Sequence, residues 1–220
     1  MTVTVFYAIL KLMNIIPNFV VFEGGDGSGT TTQVSLLSER IKTTKKTEIY
    51  QTFEPTDKPI GVLIRSALKN DYPVKPQTLA ILFAADRYEH LYGNDGILER
   101  TSRGELVISD RYAMSSLVYQ GIDCGDELPV LLNSEYPIPE ITFFLDIDPE
   151  TALSRMKDRS TLEIFEYREF QEKVREKYKS LIKIYQEKGA KIEVIDASKS
   201  AQEINDKVWS IVSQMPIFNV

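Results

Sequence analysis

Residues 24 to 31 read Gly24-Gly25-Asp26-Gly27-Ser28-Gly29-Thr30-Thr31, a spacing of glycines and hydroxyls that suits phosphate chemistry. In a loop of the form G-x-x-x-x-G-K-[ST], backbone amides and a helix N-terminus cradle the phosphates. The lysine reaches the β and γ oxygens, and the hydroxyl holds Mg2+. Here Thr30 stands where the lysine is expected, so Gly24 to Thr32 reads as a phosphate loop without its cation, and Thr31 keeps the metal-holding hydroxyl. A second metal-holding group follows the apolar run Leu106-Val107-Ile108-Ser109: Asp110, a carboxylate placed to hold Mg2+ directly or through water. Alone, the loop could be a glycine-rich turn and the aspartate a turn or helix cap. Their pairing favours the chemical reading.

The elements that must position these groups follow from the apolar pattern. Phe19-Val20-Val21-Phe22 before the loop is a continuous apolar run of buried-strand type, and Val34, Leu37 and Ile41 after it recur at helical spacing. Similar short runs at Ile49 to Phe53, Leu106 to Ser109, Ile141 to Leu145 and Ile192 to Ile195 predict strands covered on both faces. Helical stretches alternate with them: Ile60 to Leu68, Pro76 to Leu91, Gly96 to Arg103, Pro149 to Lys157, Glu166 to Lys188 and Ala201 to Val212. The pattern predicts an α/β fold of three layers, a mainly parallel five-stranded sheet flanked by helices. In such folds ligands bind beyond the carboxyl ends of the strands, where both the glycine loop and Asp110 lie.

The chain has 220 residues and a formal charge of -6, enough for one full core and without the basic footprint of a nucleic-acid binder. Residues 19–220 read as a single domain. Residues 1–18 read as an N-terminal extension, whose apolar stretch Val3 to Met13 is too short to span a membrane and has no cleavage site of the signal-peptide kind. It is either dispensable or a helix covering apolar surface. A single cysteine, Cys124, fits a reducing, cytoplasmic setting, and the one histidine, His90, lies in a different segment.

From about Phe19 onward the chain closely resembles the thymidylate kinases of the nucleoside monophosphate kinase group. The residues that carry the resemblance are Asp110-Arg111-Tyr112 with Ser115 and Tyr119-Gln120-Gly121, the run Phe22 to Gly29, and Glu54-Pro55-Thr56 with Pro59-Ile60-Gly61. Leu82-Phe83-Ala84-Ala85-Asp86-Arg87, Leu145-Asp146-Ile147-Asp148-Pro149, a lid-like Arg155 to Arg159, and Asp196-Ala197-Ser198 follow in family order. The resemblance implies a P-loop NTPase-type fold with a short lid, and transfer of a phosphoryl group from Mg·ATP to deoxythymidine monophosphate (dTMP), as a homodimer. It implies that Phe83 stacks on the base, Arg87 bonds its carbonyl edge and Arg111 clasps the monophosphate. Asp26 would accept from the sugar 3′-hydroxyl, while Ser115, Tyr119 and Gln120 would line the base and sugar pocket.

Two positions depart from the family. Besides Thr30, Phe53 stands where most members have a basic residue, so two positive charges are missing from a site that gathers phosphates. Gly27 occupies the position where one subset carries a loop arginine, so the lid residues Arg155, Lys157 and Arg159 are the expected source of charge, with Arg155 and Arg159 catalytic and Lys58 a further candidate. Two alternatives stay open: a kinase for another pyrimidine nucleotide or nucleoside, and a silent nucleotide-binding homologue.

Overall fold

The computed structural model describes residues 14–44, 47–155 and 161–219, the side chains of 161–166 excepted. Along the chain come β1 (Ile15–Gly24), α1 (Thr30–Thr44), β2 (Ile49–Phe53), α2 (Pro59–Leu68), α3 (Pro76–Tyr92), α4 (Ile97–Ser102) and β3 (Leu106–Asp110). They are followed by α5 (Ala113–Cys124), α6 (Glu127–Asn133), β4 (Ile138–Asp146), α7 (Pro149–Arg155), α8 (Thr161–Glu187), β5 (Ile192–Asp196) and α9 (Ala201–Val212), then a short 3-10 turn, Pro216–Phe218. The strands form one sheet in the order β2-β3-β1-β4-β5. Every pairing is parallel. Parallel neighbours need crossover connections, which is why helices separate the strands and cover both faces.

Side-chain alternation in the strands assigns the layers. Val20 and Phe22 of β1, with Phe143 and Leu145 of β4, pack against Val34, Leu37 and Ile41 of α1 and Ile204, Val208 and Val212 of α9. Phe19 and Val21 point to the other face, where Leu91 and Ile97 meet them, and Phe144 packs among Leu117, Val118, Val174 and Tyr178 of α5 and α8. The central strands β1, β3 and β4 are buried on both faces and carry the near-continuous apolar runs seen in the sequence, whereas the edge strands β2 and β5 leave Gln51, Phe53 and Val194 exposed, against the expectation of cover on both faces.

The structure moves one domain edge. Ile15 pairs with Ile138 and Ile16 with Pro139, and Ile16 is buried, so residues 15–18 belong to β1 and not to an extension. The register slips between Ile16 and Val20. There Pro17 has no N–H to donate, and Asn18 sits at φ 59 with its N–H donating to Glu140 Oε2 at 2.6 Å. That irregularity hides the first part of the strand from a search for an unbroken apolar run. Residues 1–13 lie outside the described residues.

Two helices beyond the predicted set appear, α5 and α6. Helix α8 starts at Thr161, earlier than the expected Glu166. None of the helices among the described residues is long and apolar enough to cross a membrane.

Candidate active site

The carboxyl ends of β1 and β3 converge, with Phe22 opposite Asp110 in register. β1 runs into the glycine loop and the loop into α1, whose first residue is Thr30. Gly27 has φ 77, and a Cβ there would come within 3.0 Å of Ala152 O, so both backbone and space demand glycine. The loop forms one wall of a cleft of about 670 Å3, whose opposite wall carries Lys199, Ser200 and Ile204. The cations lining this cleft are Arg111, Arg155 and Lys199, while Thr30 is buried and neutral. Arg155 Nη2 donates to Ala197 O at 2.8 Å, which holds it against the loop after β5. Thr32 is exposed on the same cleft. Lys157 and Arg159 lie outside the described residues, and Lys58 lines neither this cleft nor the one below.

Thr31 and Asp110, the two residues expected to hold a metal, lie side by side. Thr31 Oγ1 donates to Asp110 Oδ2, and Asp110 Oδ1 is buried with no hydrogen-bond partner. A carboxylate oxygen left unpaired beside a hydroxyl, at the mouth of a phosphate loop, fits a divalent cation that takes its other ligands from nucleotide oxygens and water. Among the described residues there is no cluster of three or more acidic, histidine or cysteine ligands.

A second cavity, of about 360 Å3, opens between α3, α5 and α8. Phe83 and Arg87 reach it from one face of α3 at i, i+4 spacing. Ser115, Ser116, Tyr119 and Gln120 reach it from one face of α5, and Phe170 closes it from α8. Asp26 and Arg111 line both cavities, so the two meet at this pair. Arg111 Nη2 donates to Asp26 Oδ1 at 2.9 Å and Nη1 to Gly24 O at 2.8 Å, with the Tyr119 ring 5.2 Å from the guanidinium carbon. The Asp26 carboxylate also accepts from Tyr119 OH at 3.2 Å and from Gln171 Nε2 at 3.3 Å.

The floor of the second cavity is a buried ionic cluster. Arg87 is 1% exposed and donates to Glu54 Oε2 through Nε and Nη2, to Ser116 Oγ at 2.9 Å and to Asn133 Oδ1, which leaves one of its five N–H groups without a partner among the described residues. Glu54 also pairs with His90 Nδ1 at 3.0 Å, whose other nitrogen meets Thr52 Oγ1 at 2.6 Å. Burial alone would push the Glu54 carboxyl up, but Arg87 and then His90 outweigh it and hold the group below its usual range. His90 is therefore a structural member of this cluster. The loop after β2 is tied to α3 by Thr56, which donates twice to Asp86 at 2.7 Å, and a Cβ on Gly61 would fall 1.9 Å from Thr56 O.

Gln120 is buried at 4% exposure and its Oε1 has no partner, inside the cavity that Phe83 lines. Sequence reasoning named Gln120 but missed Ser116, Phe170, Gln171 and Glu23. The last three are separated from the loop motifs by chain distance or lie inside an apolar strand, and carry no local signature. Phe53 is 45% exposed beside the metal-holding pair, where Arg65 stacks over its ring at 6.0 Å.

Fold and site together define a phosphate-loop α/β protein with two neighbouring cavities that meet at Asp26 and Arg111. The sequence matches the thymidylate kinase family over residues 22–208, and the chain belongs to that family. Among relatives named as thymidylate kinases, that of Treponema pallidum (strain Nichols) is 39% identical, over 89% of this chain and 95% of the relative. Those of Methanocaldococcus jannaschii and Pyrobaculum aerophilum are 38% and 39% identical, covering 90% and 91% of this chain and 97% and 98% of their own length. The activity that membership carries is ATP-dependent phosphorylation of dTMP to dTDP, and it is favoured over the two alternatives left open by the sequence.

Proposed function

We propose that the chain performs this transfer with ATP in the cleft of the glycine loop, dTMP in the pocket between α3 and α5, and Arg111 between them. The observation that carries the assignment is that the two cavities share Asp26 and Arg111. A planar guanidinium at that junction can clasp an acceptor phosphate in bidentate fashion while facing the donor. The acceptor is already a phosphate oxygen, so positioning and charge stabilisation do the catalytic work and no general base is needed. Mg2+ held by Thr31 and Asp110 would supply Lewis-acid charge to the donor phosphates. Arg155 supplies part of the charge that Thr30 lacks, with Arg159 its proposed partner.

The pocket suits thymine. Phe83 offers an aromatic face, Arg87 retains one N–H for a base carbonyl, and the unpaired Gln120 Oε1 can accept from the N3–H of thymine. Cytosine presents an acceptor at N3, which would leave Gln120 unpaired and bring two acceptors together. Asp26 and Tyr119 stand where they can meet the sugar, with Ser115 beneath Arg111.

For assembly, Ile81, Tyr88 and Tyr92 form an exposed apolar stripe on α3, at 51%, 56% and 46% exposure, consistent with a second copy of the chain docking there. A cytoplasmic setting is proposed from the single cysteine. A coupled assay with ATP and a panel of monophosphates tests the reading. dTMP is turned over at least several-fold better than the uridine or cytidine nucleotide, and equal rates across the panel refute the thymine assignment.

A further inference from the structure

Arg111 is held in an unusual backbone conformation. Its φ is 72, in the left-handed region where a non-glycine residue costs roughly 1–3 kcal/mol unless its surroundings over-determine it. Its own N–H donates to Phe22 O at 2.8 Å, and Ser109 Oγ donates to its carbonyl at 2.8 Å. The next residue, Tyr112, is the N-cap of α5 and contributes no side-chain cap. The first N–H groups of a helix have no partner within it, and one end of α5 is buried, so something else must satisfy them.

That partner is Glu23, the last residue before the glycine loop. It is 1% exposed. Its Oε1 accepts from Tyr112 N at 3.0 Å and from Ser115 N at 3.3 Å, and its Oε2 accepts from Ser115 Oγ at 2.5 Å and from Tyr178 OH at 2.8 Å. A carboxylate of β1 thus caps α5 from another element, with the sign of charge that a helix N-terminus favours. The same carboxylate also reaches α8 through Tyr178, which is fully buried and lies 2.8 Å from Ser115 Oγ. Two elements that line the acceptor pocket, α5 and α8, converge on this one side chain.

We propose that Glu23 is the positioning residue of the acceptor site. By capping α5 across the sheet it fixes the left-handed turn at Arg111, and with it the pitch of the helix face that presents Ser115, Tyr119 and Gln120. Glu23 lines neither of the two cavities. Its effect falls on the acceptor side because its contacts run to α5 and α8, whereas the donor wall at Lys199 and Ser200 is joined to α1 through Gln33 Nε2 and Ala201 O at 2.9 Å.

The inference rests on the proposed acceptor pocket, and its test reads ratios to the wild-type enzyme. Absence of any wild-type dTMP turnover would count against the functional reading, whereas a change in the ratios bears on Glu23. Steady-state constants are measured for Glu23→Ala, Glu23→Gln and Tyr178→Phe with ATP and dTMP varied in turn. Loss of a cap of this kind raises KM for dTMP by about tenfold in Glu23→Ala while KM for ATP stays within about twofold. Glu23→Gln retains an oxygen for Tyr112 and Ser115 and recovers most of the loss. Tyr178→Phe keeps the ring and raises KM for dTMP by about threefold, roughly the loss of one hydrogen bond. A general loss of stability would move both KM values together, or neither, and either result overturns the proposal. If Glu23→Ala does not fold, Tyr178→Phe decides: a KM for dTMP equal to that of wild type is the refuting outcome.

Discussion

A phosphate loop without its lysine poses the sharpest question at the scale of single residues. A hydrogen bond from a charged group contributes roughly 1.5–3 kcal/mol, so an uncompensated loss would slow transfer about tenfold to two-hundredfold if it acted wholly on the transition state. Arg155 lines the same cleft as Thr30, and its partners among the described residues are backbone carbonyls, so it can turn to phosphate without breaking an ion pair there. Two turnover measurements follow from this. Arg155→Ala lowers kcat by at least about tenfold, and Thr30→Lys changes it little, because the charge is already supplied. A large gain from the lysine with an indifferent arginine would instead mark an impaired enzyme. Asp110 is the second residue to test. Its unpaired Oδ1 serves no core contact, so Asp110→Asn nearly abolishes transfer yet keeps the melting temperature close to wild type. Activity near wild type in that variant would remove Asp110 from the metal site.

Among the secondary-structure elements, legibility followed local pattern. β1, β3 and β4 were visible because burial on both faces writes continuous apolar runs, the edge strands β2 and β5 only as short runs rich in β-branched and aromatic residues, and α1 and α9 because one apolar face gives 3.6-residue periodicity. Helix α5 was not read as a helix although three of its residues, Ser115, Tyr119 and Gln120, were assigned to the site. Its Ser115, Ser116 and Gly121 are weak helix formers, and its polar face turns inward to a cavity instead of outward to water. Its N-terminal cap comes from Glu23, 89 residues before Tyr112 in the chain, so no capping signal exists in the neighbouring sequence. The same holds for Phe170 and Gln171, which face the site only because α8 packs across β4 and α5. Helix α3 shows the opposite case. Phe83 and Arg87 face inward and Ile81, Tyr88 and Tyr92 outward, so one helix carries both a pocket wall and an apolar surface stripe. If that stripe joins two copies, Tyr88→Glu places a charge in the interface and shifts sedimentation from dimer toward monomer. A wild-type protein already monomeric at micromolar concentration would dispose of the idea.

For the molecule as a whole, two buried carboxylates impose opposite pH dependences on stability. Glu54 is held below its ordinary range by Arg87 and His90 against the desolvation of its burial, so its contribution is present above that range and fades as pH falls through it. Glu23 runs the other way. Burial pushes its carboxyl from 4.5 up to about 7, with Ser115, Arg111 and Tyr178 pulling back only in part. Between those values the folded protein binds the proton that the unfolded chain has released. Its contribution is therefore complete below pH 4.5 and is lost as pH rises through 7, by on the order of 3 kcal/mol, a visible share of a typical domain's stability. Glu23→Gln cannot titrate and keeps the shape of the side chain. Denaturant unfolding of both proteins at pH 5.5 and pH 8 isolates the effect, because every other ionisable group is common to the pair. The glutamine variant gains on wild type as pH rises between the two conditions. Parallel curves would show that Glu23 keeps its charge in the folded protein throughout, and that four donated hydrogen bonds outweigh the desolvation of a carboxylate with 1% exposure.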